Sequence, residues 1–169
     1  MTRFDSRNRS EADVPVSRAV IWKVLSDPAL LARFTPLIKE IVPHGDLWCW
    51  RLSGISALGL HVAPSFSERM AFTEPERIEF RHDPPAGSDE RAGAEGTYLL
   101  TELDEDATRL SIDIKIWVDL PLPRLSRRAV ERVMAESMDR TGNRFAHNLY
   151  RHLDIDPTKV VERKNPSRR

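Results

Sequence analysis

Cysteine is almost missing: Cys49 stands alone among 169 residues, so the chain cannot form an internal disulfide, and a reducing cytoplasm is the expected setting. It lies between Trp48 and Trp50, where a small strand filler is a plainer reading than a nucleophile. Net charge is missing too. The 26 basic residues cancel the 26 acidic ones, leaving no global field to draw the chain to nucleic acid or an anionic membrane. No apolar run approaches the roughly 20 residues that span a bilayer. The opening segment Met1–Ser10 is polar and Arg-rich and lacks the apolar stretch of a secretory signal.

Glycine is scarce and scattered. The seven glycines build neither GxGxxG nor GxxxxGK after a strand, which removes the usual phosphate cradles. His44, His61, His82, His147 and His152 fall in separate elements without a second cysteine, so no metal-ligand spacing exists, and no serine sits in a nucleophile elbow. Neither metal nor cofactor is expected. What remains, with 40% apolar and 31% charged residues, is an ordinary globular domain large enough for a core and a pocket.

The periodicities give the order of elements. Ala12, Val14 and Val16 alternate with Asp13 and Pro15 as a short first strand over 10–16. Ser17 is placed to cap a helix over 18–25, and Asp27-Pro28 to start a second one ending near Phe34, before Pro36. The period then changes to two. Strands are expected at 38–42 and 47–52 about a His44-Gly45-Asp46 turn, then at 60–72 with a bend near Pro64. Further strands follow at 77–83, 96–103 and 110–120, with Gly54–Gly59 as a loop or a strand break and Pro84–Gly93 as the longest exposed loop. In the last strand Leu110, Ile112, Ile114, Ile116, Val118 and Leu120 take one face, while Ser111, Asp113, Lys115, Trp117 and Asp119 take the other. That is the pattern of an antiparallel sheet covered on a single side.

A helix over 125–153 repeats Val130, Val133, Met134, Ser137, Met138, Thr141, Phe145, Leu149 and Leu153 at three- and four-residue steps. Its stripe needs an apolar partner, and the one-sided sheet supplies it. The fold class is therefore α+β, a curved sheet of six to seven strands with the long C-terminal helix across it. Residues 10–153 form the domain, with polar segments 1–9 and 154–169 flanking it.

Strand, two short helices, about six antiparallel strands and a long helix resemble the helix-grip order of the SRPBCC superfamily of START lipid-transfer domains, pollen allergens and polyketide cyclases. The local likeness is strongest from Val14 to Val42: Val-Pro-Val-Ser, then Trp22, Leu25 and Asp27-Pro28, then Phe34, Pro36 and Ile38. The family has no universal catalytic motif, so no active-site residue carries over. The resemblance implies a cavity between sheet and helix for an apolar partner such as a lipid, quinone, sterol or polyketide.

Alternation places three polar residues on apolar faces: Glu68 with Phe66, Met70 and Phe72; His82 with Ile78 and Phe80; Tyr98 with Leu100. For Glu68 the plainer reading is a bulge near Pro64 that turns it outward; for His82 it is exposure at a strand end. If both point inward, a His/Glu pair could perform acid–base work on a carbonyl. These three are the catalytic candidates. The expected cavity wall comprises Phe66, Met70, Phe80, Tyr98, Ile114, Ile116, Met134, Ser137, Met138, Thr141 and Phe145, although a Met/Phe stripe is more often plain core. Ser137, Thr141 and Gly142 are small residues in mid-stripe, which leaves a gap.

Arg124, Arg127, Arg128 and Arg132 cluster at the start of the last helix. A solvated face is the default, and its rival is a basic rim for an acidic head group or a transient membrane contact. Three functions stay open: a carrier of a hydrophobic small molecule, an enzyme of cyclase, hydratase or hydrolase type, and an interaction module with a vestigial cavity. Oligomeric state is not legible.

Overall fold

A computed structural model of the chain describes residues 1–57 and 59–163, with the side chains of 55–57 left out. Strand β1 (Thr2–Val14) is followed by helices α1 (Arg18–Leu25) and α2 (Pro28–Phe34). Strands β2 (Ile38–His44), β3 (Leu47–Leu52), β4 (Ile55–Ala57), β5 (Leu60–Val62), β6 (Ser65–Thr73), β7 (Arg77–His82), β8 (Ala92–Asp104) and β9 (Ala107–Leu120) come next. A short 3-10 turn at Arg124–Ser126 leads into α3 (Arg127–His152), and strand β10 (Val161–Arg163) closes the described chain.

Eight strands form one antiparallel sheet in the order β10-β1-β9-β8-β7-β6-β3-β2, and β4 and β5 pair as a separate ribbon. The α+β architecture with a long C-terminal helix is as expected, but the sheet is wider than six to seven strands. The added strand is β10, from the segment read as a polar tail: it pairs Val161–Arg163 with Asp13–Glu11. Ile155, in the same segment, is buried.

The N-terminal segment is likewise part of the sheet. β1 begins at Thr2, not at residue 10, and pairs with β9 from Thr2↔Leu120 to Val14↔Thr108. Apolar periodicity missed it because the inward residues Ser6, Asn8 and Ser10 are polar, although Phe4 at the far end is fully buried. The outward residues instead make cross-strand ion pairs: Arg3–Asp119 at 2.9 Å, Arg7–Asp113 at 2.6 Å and Arg9–Asp113 at 3.0 Å. At the other end Asp13 lies between Arg109 and Arg163, each at 2.7 Å. The two guanidiniums hold its carboxyl well below the usual carboxylate range, so three strands meet at one charge.

The helices set the end walls. Asp27 caps α2 by accepting from the amides of Ala29 (2.9 Å) and Leu30 (3.1 Å), with Pro28 in the first turn. Ser17 precedes α1 at the cap position, but its side chain makes no capping bond. Asn148 of α3 donates to the Phe34 carbonyl at 3.0 Å, tying the long helix to the end of α2. The expected strand 60–72 divides at Pro64, β5 leaving the sheet for the ribbon and β6 staying in it.

Phe4→Ala should destabilise the fold by about 3–5 kcal/mol in urea unfolding, as deletion of a fully buried ring does, whereas Arg7→Ala on the opposite face of the same strand should leave the midpoint near wild type. Equal effects would show that β1 is not anchored by its inward face.

Candidate functional site

Small residues face one another across the sheet–helix interface. On the inner face of β8, Ala92 and Ala94 precede Gly96, which pairs with Phe80 of β7. Ala92 and Ala94 line the space, whereas Gly96 does not: a Cβ there would run into the Asp113 carbonyl and the Phe80 ring. On α3, Ser137, Thr141 and Gly142 occupy the middle of the stripe, between buried Val130 and buried Phe145. Neither surface fills the space between them. A cavity of about 1030 Å³ results, at the upper end of the roughly 300–1,000 Å³ usual for ligand pockets. Leu110, Ile112, Ile114 and Ile116 of β9 form much of its floor, and Val133, Met134 and Met138 of α3 its roof. Leu31, Leu37, Leu60, Val62 and Leu122 also line it.

Ten of the eleven residues expected on the wall line this space: Phe66, Phe80, Tyr98, Ile114, Ile116, Met134, Ser137, Met138, Thr141 and Phe145. Met70 does not; it is buried in the core beside them. Trp50, Leu31, Leu37 and the β5 residues were missed, because no local pattern in a short strand or turn reveals which end wall it joins.

Glu68 turns inward, which corrects the outward reading. The β6 register runs without a shift from Ser65 to Arg69 against β3 and from Glu68 to Thr73 against β7, so the break at Pro64 does not invert the strand. Parity then keeps Glu68 with Phe66 and Met70. The residue is 2% exposed, lines the cavity, and its Oε2 has no hydrogen-bond partner. Burial with nothing to compensate the charge raises its carboxyl well above the usual range. Tyr98 responds to the same setting: burial first, and the Glu68 charge second, push its phenol up. Its ring lies 5.1 Å from that of Phe80.

His82 does not join Glu68, although the two are register partners. Its Nε2 lies 2.8 Å from Glu90 Oε2, and its ring meets Trp117 edge-on at 5.1 Å. Glu90 also accepts from the amide and hydroxyl of Ser67, at 2.9 and 2.8 Å. The 84–93 loop thus takes up the imidazole that acid–base chemistry with Glu68 would need, and its last two residues already belong to β8. Sequence spacing could not show this, because Glu90 is a loop residue.

At the cavity's edge by β1, Asn8 donates to Asp139 of α3 at 2.7 Å. In the basic cluster, Arg127 pairs with Glu131 at 2.7 Å and lies over the Phe4 ring, 5.7 Å from its centroid. Arg124, Arg128 and Arg132 are exposed. Among the described residues no group of three or more His, Cys, Asp or Glu side chains is arranged to hold a metal ion, and no helix is long and apolar enough to cross a membrane.

No family model and no curated protein matches the chain. Solved structures do. A START superfamily protein from Mycobacterium smegmatis is similar at TM-score 0.61 and 16% identity, over 88% of this chain and 97% of that one. The Zhui aromatase/cyclase from Streptomyces sp. R1128 gives 0.62 and 16%, over 92% and 98%. A conserved protein from Geobacillus kaustophilus gives 0.62 and 14%, over 93% and 100%. At these identities the likeness establishes the fold: the chain has the START-type helix-grip fold.

A neutral buried acid has a signature in stability. Above the ordinary carboxylate range the unfolded chain releases the Glu68 proton while the folded chain keeps it. Unfolding then becomes easier as pH rises, by about 1.4 kcal/mol per pH unit until the folded carboxyl itself ionises. Glu68→Gln should therefore be more stable than wild type at pH 8, with the gap closing toward pH 4 in thermal melts. A gap that does not change with pH would contradict a protonated Glu68.

Proposed function

We propose that the chain binds and carries a hydrophobic small molecule, of lipid, quinone or polyketide type, between sheet and C-terminal helix. One observation carries this reading: an apolar-walled space of about 1030 Å³, kept open because small residues face each other where larger ones would have closed it. Void of this kind costs stability when nothing fills it, and an apolar void gives water too few partners. A protein that retains it gains from an occupant. The open space weighs against the interaction-module reading, which expects sheet and helix to pack directly.

The solved structures of the same fold are a START superfamily protein and an aromatase/cyclase, and they support small-molecule binding as the use of the cavity. A cyclase- or hydratase-type enzyme is the second reading, and Glu68, an acid facing the cavity, is what favours it. Carriage is preferred because the candidate base, His82, is engaged by Glu90. The exposed Arg124, Arg128 and Arg132 at the start of the roof helix give such a carrier a basic rim for transient contact with an anionic membrane. A single cysteine fits a cytoplasmic setting.

Titration with diphenylhexatriene, a hydrocarbon that fluoresces in apolar surroundings, tests the reading. Wild type should take it up saturably at about one per chain, and Ser137→Phe, which fills mid-cavity, should weaken uptake at least tenfold without lowering the melting temperature. Failure of the wild type to bind the probe would overturn the carrier reading.

A further inference from the structure

Two buried side-chain polar atoms among the described residues lack hydrogen-bond partners, Glu68 Oε2 and Trp50 Nε1. Both residues line the same cavity. They are also neighbours. Trp48 of β3 pairs with Glu68 of β6, and Trp50 pairs with Phe66 two residues away, so Trp50 and Glu68 stand diagonally on one sheet face. That places their backbones about 7–8 Å apart. The Trp50 ring is stacked against Phe66, with 11° between their planes. Two orphaned groups scattered through a core would be packing defects. Two on adjacent strands, in residues that line one apolar space, point to a ligand group that reaches both.

We propose that the occupant of the cavity is an apolar molecule with an uncharged hydrogen-bonding head, a ketone, ester or hydroxyl oxygen, that sits between the Trp50 indole N–H and the Glu68 carboxyl. This rests on the carrier reading and specifies its ligand. The indole nitrogen donates only, so the head must present a lone pair there, which excludes an ammonium group. The Glu68 side donates when protonated, and it accepts as well. A carbonyl oxygen takes a hydrogen bond from both; a hydroxyl accepts from Trp50 and donates to Glu68. A carboxylate would bring a full charge into the same apolar surroundings that disfavour ionisation of Glu68, at a cost that a neutral oxygen avoids. Tyr98, whose phenol senses Glu68, is the third polar side chain on this part of the wall, and His82, the register partner of Glu68, is turned to Glu90.

The test is displacement of diphenylhexatriene at pH 7 by three molecules that share one chain: 2-dodecanone, dodecanoate and dodecylamine. The ketone should displace the probe at concentrations at least tenfold lower than either charged analogue. Trp50→Phe, which keeps an aromatic ring and removes the N–H, should weaken the ketone at least fivefold more than it weakens the hydrocarbon probe; Glu68→Leu should do the same. Equal displacement by all three, tighter binding of dodecanoate or dodecylamine, or a ketone affinity indifferent to both substitutions would overturn the assignment of the head group while leaving the carrier reading standing. Absence of any probe binding by wild type would overturn both.

Discussion

A sheet that is apolar on one side must be covered, and the cavity of this fold follows from how incompletely α3 covers it. Val130, Phe145 and Leu149 of the helix are buried and carry its attachment to the sheet. Between them Ser137 and Thr141 line the cavity, as Ala92 and Ala94 of β8 do on the sheet side. The grip is thus firm at the ends and open in the middle. Filling both sides would have given a tighter core, so the sequence spends packing where an occupant would recover it.

The two faces of the sheet solve different problems. The outer face of β1 and β9 is laced with arginine–carboxylate pairs such as Arg3–Asp119 and Arg7–Asp113, which lie in or near water and add little each, yet set the register of a strand whose inward residues are mostly polar. The inner face carries the opposite case: Glu68 is buried, its Oε2 has no hydrogen-bond partner, and that burial pushes its carboxyl well above the usual range. An acid kept neutral by its site is a hydrogen-bond donor at a pH where carboxyl groups ordinarily only accept. Among the described residues this separates Glu68 from the ion-paired carboxylates Asp13, Asp113 and Asp119, which arginines hold below the usual range.

Much of this was legible in the residues. The alternation of β9 and the stripe of α3 are strong single-element patterns, and their pairing follows because each requires the other; ten cavity-wall residues come from those two surfaces and their neighbours. What escaped had a different physical origin. In β1 the alternation is of charged with uncharged residues, Arg3, Asp5, Arg7, Arg9, Glu11 and Asp13 against Phe4, Ser6, Asn8, Ser10, Ala12 and Val14, a period-two signal that a hydrophobicity scale does not see. β10 is three residues long and held by pairing to β1 and by the Arg163–Asp13 contact, with no pattern of its own. The orientation of Glu68 hung on whether Pro64 shifts the parity of the strand, and the partner of His82 lay in a loop. Both are questions of tertiary placement, to which local periodicity gives no answer.

The claim that the space between sheet and helix exists to be occupied is met most directly by native mass spectrometry of the full chain purified from its own host, with solvent extraction and identification of what is released. The account predicts a reproducible apolar passenger, near one per chain, bearing a neutral oxygen function. A chain that emerges empty, and stays empty when offered its host's lipid extract, would contradict it.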